Sequence, residues 1–346
     1  MGKTMAFKAK EIAKMLGVST STISLVINNR PGVSEAKRRE IIQRIKDMDC
    51  GYLIKEQAQA IDTIGFVIYK RKGNIIDEAP FFSYYLESIT ATLRTLNYNM
   101  TVLYMSKNMS PDEQRLILYN SDCKGFIVFA VEMVYEDMQV FKSSKLPFVM
   151  LDNSFQFNDV DTVAVNNMFG IYQAINYLYQ KGHRKIGYLR SAVQINSFAE
   201  RFNAYQTMLE KLKLEYREDF IVTLGYSDAE ASADICGYLK THTEYPTAFI
   251  SDNDLLACGA IKGIKASGLS VPDDISIVGF DDRPICTIID PSLTTMMIPK
   301  DAFGIKSVEL LISKLQKKRN YSIKMEVGTI LIERQSVCEI PLQDKK

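Results

Sequence analysis

Thr20, Ser21, Ser24 and Asn28 lie close together in "STSTISLVINNR", and each carries a short side chain that can donate and accept hydrogen bonds. Such groups suit the polar edge of a flat partner, and Leu25 among them adds one apolar contact. Arg30, Lys37, Arg38 and Arg39 follow as positive charges placed to meet anionic oxygens.

The flanking residues say how these groups are held. Ile12, Ala13 and Leu16 fall on one face of a first short helix, and Gly17 supplies a permissive backbone for a sharp turn. Ser19 is a natural N-cap for a second helix, in which Ile23, Val26 and Ile27 must face inward, with Thr20, Ser21, Ser24, Leu25 and Asn28 on the other side. Ser34 introduces a third helix, "EAKRREIIQRIKDM", with Ile41, Ile42 and Ile45 as its inward residues. This is a helix-turn-helix, whose second helix fits the major groove of DNA and brings small polar side chains to base edges. The alternative is a protein-interaction module. The charge balance favours DNA: residues 1 to 60 hold 11 Lys and Arg against 6 Asp and Glu, net +5, while the remainder holds 31 against 35, net −4.

At 346 residues, 47% of them apolar, the chain predicts at least two folded units. No uncharged apolar run of membrane-spanning length occurs, and charges stand where a signal peptide would need an apolar block, so a cytoplasmic protein without membrane partners is expected. Six scattered cysteines without a CxxC pair and two histidines, His183 and His242, predict neither a metal site nor a disulfide framework. His183, after Gly182, is read as a structural residue at a helix end. From residue 64 onward, short apolar runs ("IGFVIYK", "MTVLYM", "GFIVFAV", "PFVMLDN") alternate with helical patterns, and the rhythm restarts at "TVAVNN" and runs through "ISIVGFDD". The expected fold class is α/β: a small all-α head, then two Rossmann-like parallel-sheet subdomains that meet at a ligand-binding cleft.

The run "EIAKMLGVSTSTISLVINNRPGVSEAKRREI" resembles the amino-terminal signature of the LacI/GalR family of bacterial transcription regulators. "KGHRKIGYL", "ERFNAY", "AFISDNDLLACGAI", "VPDDISIVGFDD" and "DPSLTTM", in that order, resemble its effector-binding core, which is similar to periplasmic sugar-binding proteins. The resemblance implies a helix-turn-helix domain at 1–50, a shortened linker at 51–62 and an effector-binding and dimerisation domain at 63–346, its subdomains being 63–160 with 292–320 and 161–291 with 321–346. It also implies a homodimer on palindromic double-stranded operator DNA, controlled by a small effector, a sugar or sugar derivative, with purines or nucleosides as the alternative class. Most relatives have arginine where this chain has Leu25, so the operator is expected to differ at the base pair that residue meets.

Carried onto this chain, the resemblance assigns effector binding to Asp281, Arg201, Asn253 and Ser197, with Phe82 and Tyr226 as aromatic walls and Asn166 and Asp152 as weaker candidates. Charged groups would take paired hydroxyls and flat faces the CH surfaces of such a ligand. Each has a plainer reading. Asp281 or Asp282 is a helix cap, Arg201 lies on a solvated helix face, and Phe82 and Tyr226 are core residues. An enzyme is a poor fit: "MGKT" lacks the rest of a phosphate loop, no GxGxxG follows a strand, and no catalytic residue or cofactor is expected. The linker "GYLIKEQAQAIDTIG" departs from the family, having Ile54 and Lys55 where Pro-Asn is usual and no leucine at the position that wedges into the minor groove, so less DNA bending is expected.

Overall fold

A computed structural model of the chain describes residues 9–28, 30–54, 61–78, 82–317 and 319–341. They form two compact units, Met1–Ile61 and Asp62–Lys346.

The first unit consists of α1 (Ala9–Leu16), α2 (Thr20–Ile27) and α3 (Glu35–Asp47). Gly17 turns the chain with φ +66, and Ser19 caps α2, its hydroxyl accepting from Thr22 N at 3.0 Å. Ser34 occupies the N-cap of α3 without a side-chain cap bond. Ile12, Ala13, Leu16, Ile23, Val26, Ile27, Ile41, Ile45 and Cys50 form the core, with Ile42 only partly buried beside it. Arg38, expected at a phosphate-facing position, is instead buried: its guanidinium donates to the carbonyls of Leu25, at 3.4 Å, and Arg30. The planar fork of donors lets one arginine hold both carbonyls, tying the end of α2, where Leu25 O also accepts from Arg30 N at 2.8 Å, to α3. Gly51–Leu53 adds one 3-10 turn, and the linker stretch expected to depart from the family lies, at 55–60, outside the described residues.

In the second unit the described strands are β1 (Thr63–Lys70), β2 (Asn99–Ser106), β3 (Cys123–Phe129), β4 (Phe148–Leu151), β5 (Thr162–Val165), β6 (Ile186–Ser191), β7 (Ile221–Leu224), β8 (Ala248–Ser251), β9 (Ser276–Asp281), β10 (Thr294–Met297), β11 (Lys324–Val327) and β12 (Ile330–Ile332). They build two six-stranded sheets, in the orders β11-β5-β4-β3-β1-β2 and β12-β10-β9-β8-β6-β7, parallel throughout except for the antiparallel β10–β12 pair. The central strands are buried along their whole length, as parallel strands covered on both faces by helices must be, and so they read as unbroken apolar runs.

The expected subdomain boundaries need correction. Thr162–Val165 belongs to the first sheet, pairing with β4 and with the returning β11, while β10 belongs to the second. A fully buried strand looks the same whichever sheet it joins, and no helix separates β4 from β5, so the apparent restart of the rhythm came one strand too early. The helix Lys300–Gln316 packs on the first sheet, where a Cβ on Gly304 would strike the Ser88 hydroxyl of the helix Ser83–Thr95. The chain therefore passes between the sheets three times, after β5, after β10 and between β11 and β12.

Candidate functional site

On α2, Thr20, Ser21 and Ser24 are exposed, Leu25 and Asn28 are half-buried, and Arg30 beyond the helix is exposed. Asn28 is turned back on its own helix, its Nδ2 donating to Ser24 O at 3.0 Å, and Ser21 Oγ lies 2.7 Å from Ser19 Oγ. The open surface is thus a short row of hydroxyls ending in a cation, with Leu25 resting near Gly32, where an added Cβ would stand 3.2 Å from Leu25 Cδ1.

In the second unit, Asp152, Ser197, Arg201, Tyr226, Asn253 and Asp281 line one cavity at the carboxyl ends of the strands, together with Ile75, Ile76, Phe129, Val131, Ile195, Phe198, Arg283 and Ile298. Its volume is about 30 Å³, room for one or two waters. The cleft is closed in this structure. A hydrogen bond across it, from Asn196 Nδ2 at the start of the helix Asn196–Lys211 to Ser154 O at 2.7 Å, links the two halves.

Arg201 is the centre of this site. Far from lying on a solvated face, it is 3% exposed. Its Nε donates to Asn167 Oδ1 at 2.9 Å, its Nη1 donates to Asp252 O and stands 3.5 Å from Asp281 Oδ1, and its plane lies 3.6 Å from the Phe280 ring centre. Asp281 also accepts from Arg283 Nε at 3.3 Å. It caps no helix: it ends β9 with φ 114, and Asp282 follows at φ 54. Two consecutive non-glycine residues in the left-handed region cost about 1–3 kcal/mol each, a strain that settles where the surroundings hold a side chain in place. Asn253 does two things, accepting from Leu256 N at 3.0 Å as a helix cap while its Nδ2 donates to the Tyr226 hydroxyl at 3.1 Å.

Burial sets the charge state of the carboxyls. Asp152 is pushed up to about 7 by burial, against the pull of Arg201 and with Asp281 adding to the rise. Asp254, under the floor of the site, is also pushed up to about 7, by burial and then by Asp281, although Thr295 Oγ1 at 2.5 Å and Arg283 N at 2.8 Å donate to it. Asp252, holding Ser191 N and the Tyr188 hydroxyl, rises to about 6 for the same first reason.

Two expected positions lie elsewhere. Phe82 does not line the cavity; it packs on Phe129, with ring centres 6.1 Å apart, and Phe129, at the end of β3, forms the wall instead. Asn166 caps the helix Asn167–Gln180, accepting from Phe169 N at 2.9 Å, and lines a different cavity. It is the next residue, Asn167, that reaches Arg201. His183 is buried, its ring nitrogens 2.9 Å from Thr247 Oγ1 and 3.2 Å from Cys338 O, which is the structural role expected of it.

The sequence pattern of the bacterial regulatory proteins of the lacI family matches residues 8–50, and that of the periplasmic binding protein-like domain matches residues 175–337. The "HTH-type transcriptional repressor PurR" of Proteus mirabilis (strain HI4320) is 28% identical over 341 residues, covering 97% of this chain and 98% of that protein. Both patterns of a lacI-family regulator, the DNA-binding head and the periplasmic binding protein-like body, are thus present in order along the chain. With these patterns it is a DNA-binding transcriptional regulator and not an enzyme. Among solved structures, the transcriptional regulator CelR–cellobiose complex has the same fold, with a TM-score of 0.72 at 21% identity over 95% of this chain and 99% of that one. The lac repressor dimer bound to operator and the anti-inducer ONPF shares it as well, with a TM-score of 0.70 at 20% identity over 96% and 99%. Among the described residues of this chain, no helix is long and apolar enough to cross a membrane.

Sequence reasoning missed part of the cavity wall. Arg283 stood two residues beyond Asp281 in "FDDRP", where alternation along the chain puts it beside Asp281, and that signal was readable. Ile75, Ile76, Val131 and Ile298 carried none, because an aliphatic residue facing a cavity has the same sequence signature as one in the core.

Proposed function

We propose that this regulator is a repressor that binds a palindromic operator as a homodimer through Thr20, Ser21, Ser24, Leu25, Asn28 and Arg30. A small polar effector held by Ser197, Arg201, Tyr226, Asn253, Asp281 and Asp152 controls its occupancy. The observation that carries the reading is the convergence of those six side chains, from five separate segments, on one buried cavity at the sheet ends. The mixture of carboxylates, guanidiniums and an amide beside aliphatic and aromatic faces suits a sugar, whose hydroxyls donate and accept while its CH faces lie on apolar surface. The cellobiose complex of a structural neighbour supports that class, and the operator-bound lac repressor dimer supports the DNA partner and the dimer. Tyr104 on the edge strand β2, with Leu116 and Tyr119 on the next helix, stays more than half exposed, which is apolar surface available to a second subunit.

An effector that fits one cleft arrangement better than the other shifts the population between them, and a coupling of about 1–3 kcal/mol changes operator occupancy about 5- to 150-fold. Thermal unfolding against sugars, sugar phosphates, nucleosides and purines tests the reading: a ligand at a hundredfold excess over Kd stabilises the folded state by about 2.7 kcal/mol. A shift lost in both Asp281→Ala and Arg201→Ala supports the cavity as the sensor and names the class, a purine hit favouring the alternative. At the DNA, Leu25→Arg is expected to change operator preference at one symmetric base pair by about 1–3 kcal/mol, read by selection from a random operator library.

A further inference from the structure

The turn that follows β1 and the short helix Asn74–Glu78 that continues it carry Ile75 and Ile76 into the cavity wall, yet most of what fixes this loop segment there is main chain. Gly73 bends it with φ +86, and Asp77 N returns to Gly73 O at 2.8 Å. A side chain at Gly73 would collide with Lys70 and Asp77, which pair across the bend. The result is a concave row of amides that all point at one group, the carboxylate of Glu132, itself 7% exposed. Glu132 Oε2 accepts from Arg71 N at 2.9 Å, Lys72 N at 2.9 Å and Gly73 N at 2.8 Å, and its Oε1 accepts from Ile75 N at 2.9 Å and Ile76 N at 3.3 Å. Successive amides arranged this way form an anion-binding nest, and here the anion is a side chain of the same molecule.

The segment that brings Glu132 is anchored in turn. Asn153, just past β4, donates from Nδ2 to Ala130 O at 2.8 Å and Met133 O at 2.9 Å. Arg71 reaches back to Asp137 with Nη1–Oδ2 at 2.5 Å. The loops after three neighbouring strands, β1, β3 and β4, are thus bound to one another through Glu132, the Arg71–Asp137 pair and the Asn153 amide, and Asn196 from the opposite half meets Asn153 Oδ1 at 3.3 Å. Glu132 does not line the effector cavity. Its influence runs through the backbone of residues 71–76.

We propose that Glu132 is a positioning residue for effector binding, a resident anion whose five amide bonds hold Ile75 and Ile76 in place as one wall of the effector cavity. This rests on the cleft being the effector site. A glutamine has one acceptor oxygen and one donor group, so it satisfies part of the nest and turns an N–H toward the rest; alanine vacates it.

The test uses the full chain with Glu132→Ala and Glu132→Gln. Amide hydrogen exchange across residues 71–76 is expected to accelerate about tenfold or more in Glu132→Ala and less in Glu132→Gln, while exchange in β1 itself stays at the wild-type rate. Sodium formate, a small carboxylate that fits a vacated nest, is expected to slow exchange again in Glu132→Ala and to leave wild type unaltered, a recovery that loss of generic packing would not give. Whichever sugar, nucleoside or purine stabilises wild type is expected to bind Glu132→Ala about tenfold more weakly, with formate restoring part of the loss. Unchanged exchange in both variants overturns the proposal, as does full affinity in a variant whose loop exchanges faster. If no compound binds wild type, the effector reading fails instead, and the formate-sensitive exchange still decides whether Glu132 holds the loop.

Discussion

The two walls of the cavity are made of different materials. The first sheet contributes Ile75, Ile76, Phe129 and Val131 and one polar group, Asp152, whereas the second contributes Ser197, Arg201, Tyr226, Asn253, Asp281 and Arg283 beside the apolar Ile195, Phe198 and Ile298. The polar wall is over-determined: Asp281 is braced by two arginines, Arg201 also by Asn167 and a carbonyl, and Asn253 by a helix end. Groups held by such bonds before a ligand arrives need little reorganisation to receive it. The apolar wall has shape but few such internal bonds among its side chains, and its position is inherited from loops. A ligand would read direction from one wall and size from the other.

Removing the brace tests that division most severely. Arg201→Ala leaves the buried carboxylate of Asp281 with Arg283 alone and takes the guanidinium donor from the Asn167 amide oxygen, and breaking a buried pair from one side costs about 3–5 kcal/mol. Chemical denaturation should show a loss of that size together with loss of every effector-induced shift in the thermal scan. A variant of normal stability that no longer binds would make Arg201 a ligand contact alone and the wall less interdependent than it looks.

The single polar group on the apolar side provides a milder and signed test. Asp152 ionises at about 7 in the fold, against an ordinary carboxyl near 3.9. Between those values the folded protein keeps a proton that the unfolded chain gives up, so stability falls as pH rises through the window, at roughly 1.4 kcal/mol per pH unit for one proton. In Asp152→Asn that part of the slope should vanish, leaving the parts that Asp254 and Asp252, raised by burial to about 7 and about 6, contribute over the same window. The comparison is between denaturation free energies of the two proteins from about pH 4 to pH 7; parallel curves would mean that Asp152 is hydrated in solution and that the cleft there stands open.

The same contrast decides what could be read in the sequence. Arg201, Asn253 and Asp281 were legible through the family motifs that carry them, "ERFNAY", "SDND" and "VGFDD", and Ser197 through its place one helical turn before Arg201, none of them from residue type alone. Ile75, Ile76 and Ile298 were not, since nothing in an aliphatic residue distinguishes a cavity wall from a core. The fold itself was read from alternation of strand and helix, but β5 was assigned to the wrong sheet because sheet membership is written in hydrogen bonds with β4 and β11, far apart in the chain. Arg38 failed for a related reason: a basic residue in a basic head reads as a phosphate contact, and only the fold brings the carbonyls of Leu25 and Arg30 to it. Asn166 missed by one position, which on a helix start separates the cap from the first inward residue.

The smallest effect is expected on the apolar wall. Ile76 is buried and its N–H is held by Glu132, so Ile76→Val leaves the loop's backbone bonds intact and removes one methylene from the surface facing the ligand. Ile to Val in a buried setting costs about 0.5–1.5 kcal/mol of stability, and a methylene in a binding pocket changes discrimination by about 1–3 kcal/mol. The informative quantity is therefore a ratio: isothermal titration of a bound effector and of the same compound enlarged by one methyl group. If the apolar wall measures size, Ile76→Val shifts the ratio toward the larger compound while the enthalpy contributed by the Arg201–Asp281 side stays constant. If both compounds weaken equally, the methylene was only part of the core, and selection by size belongs to the polar wall as well.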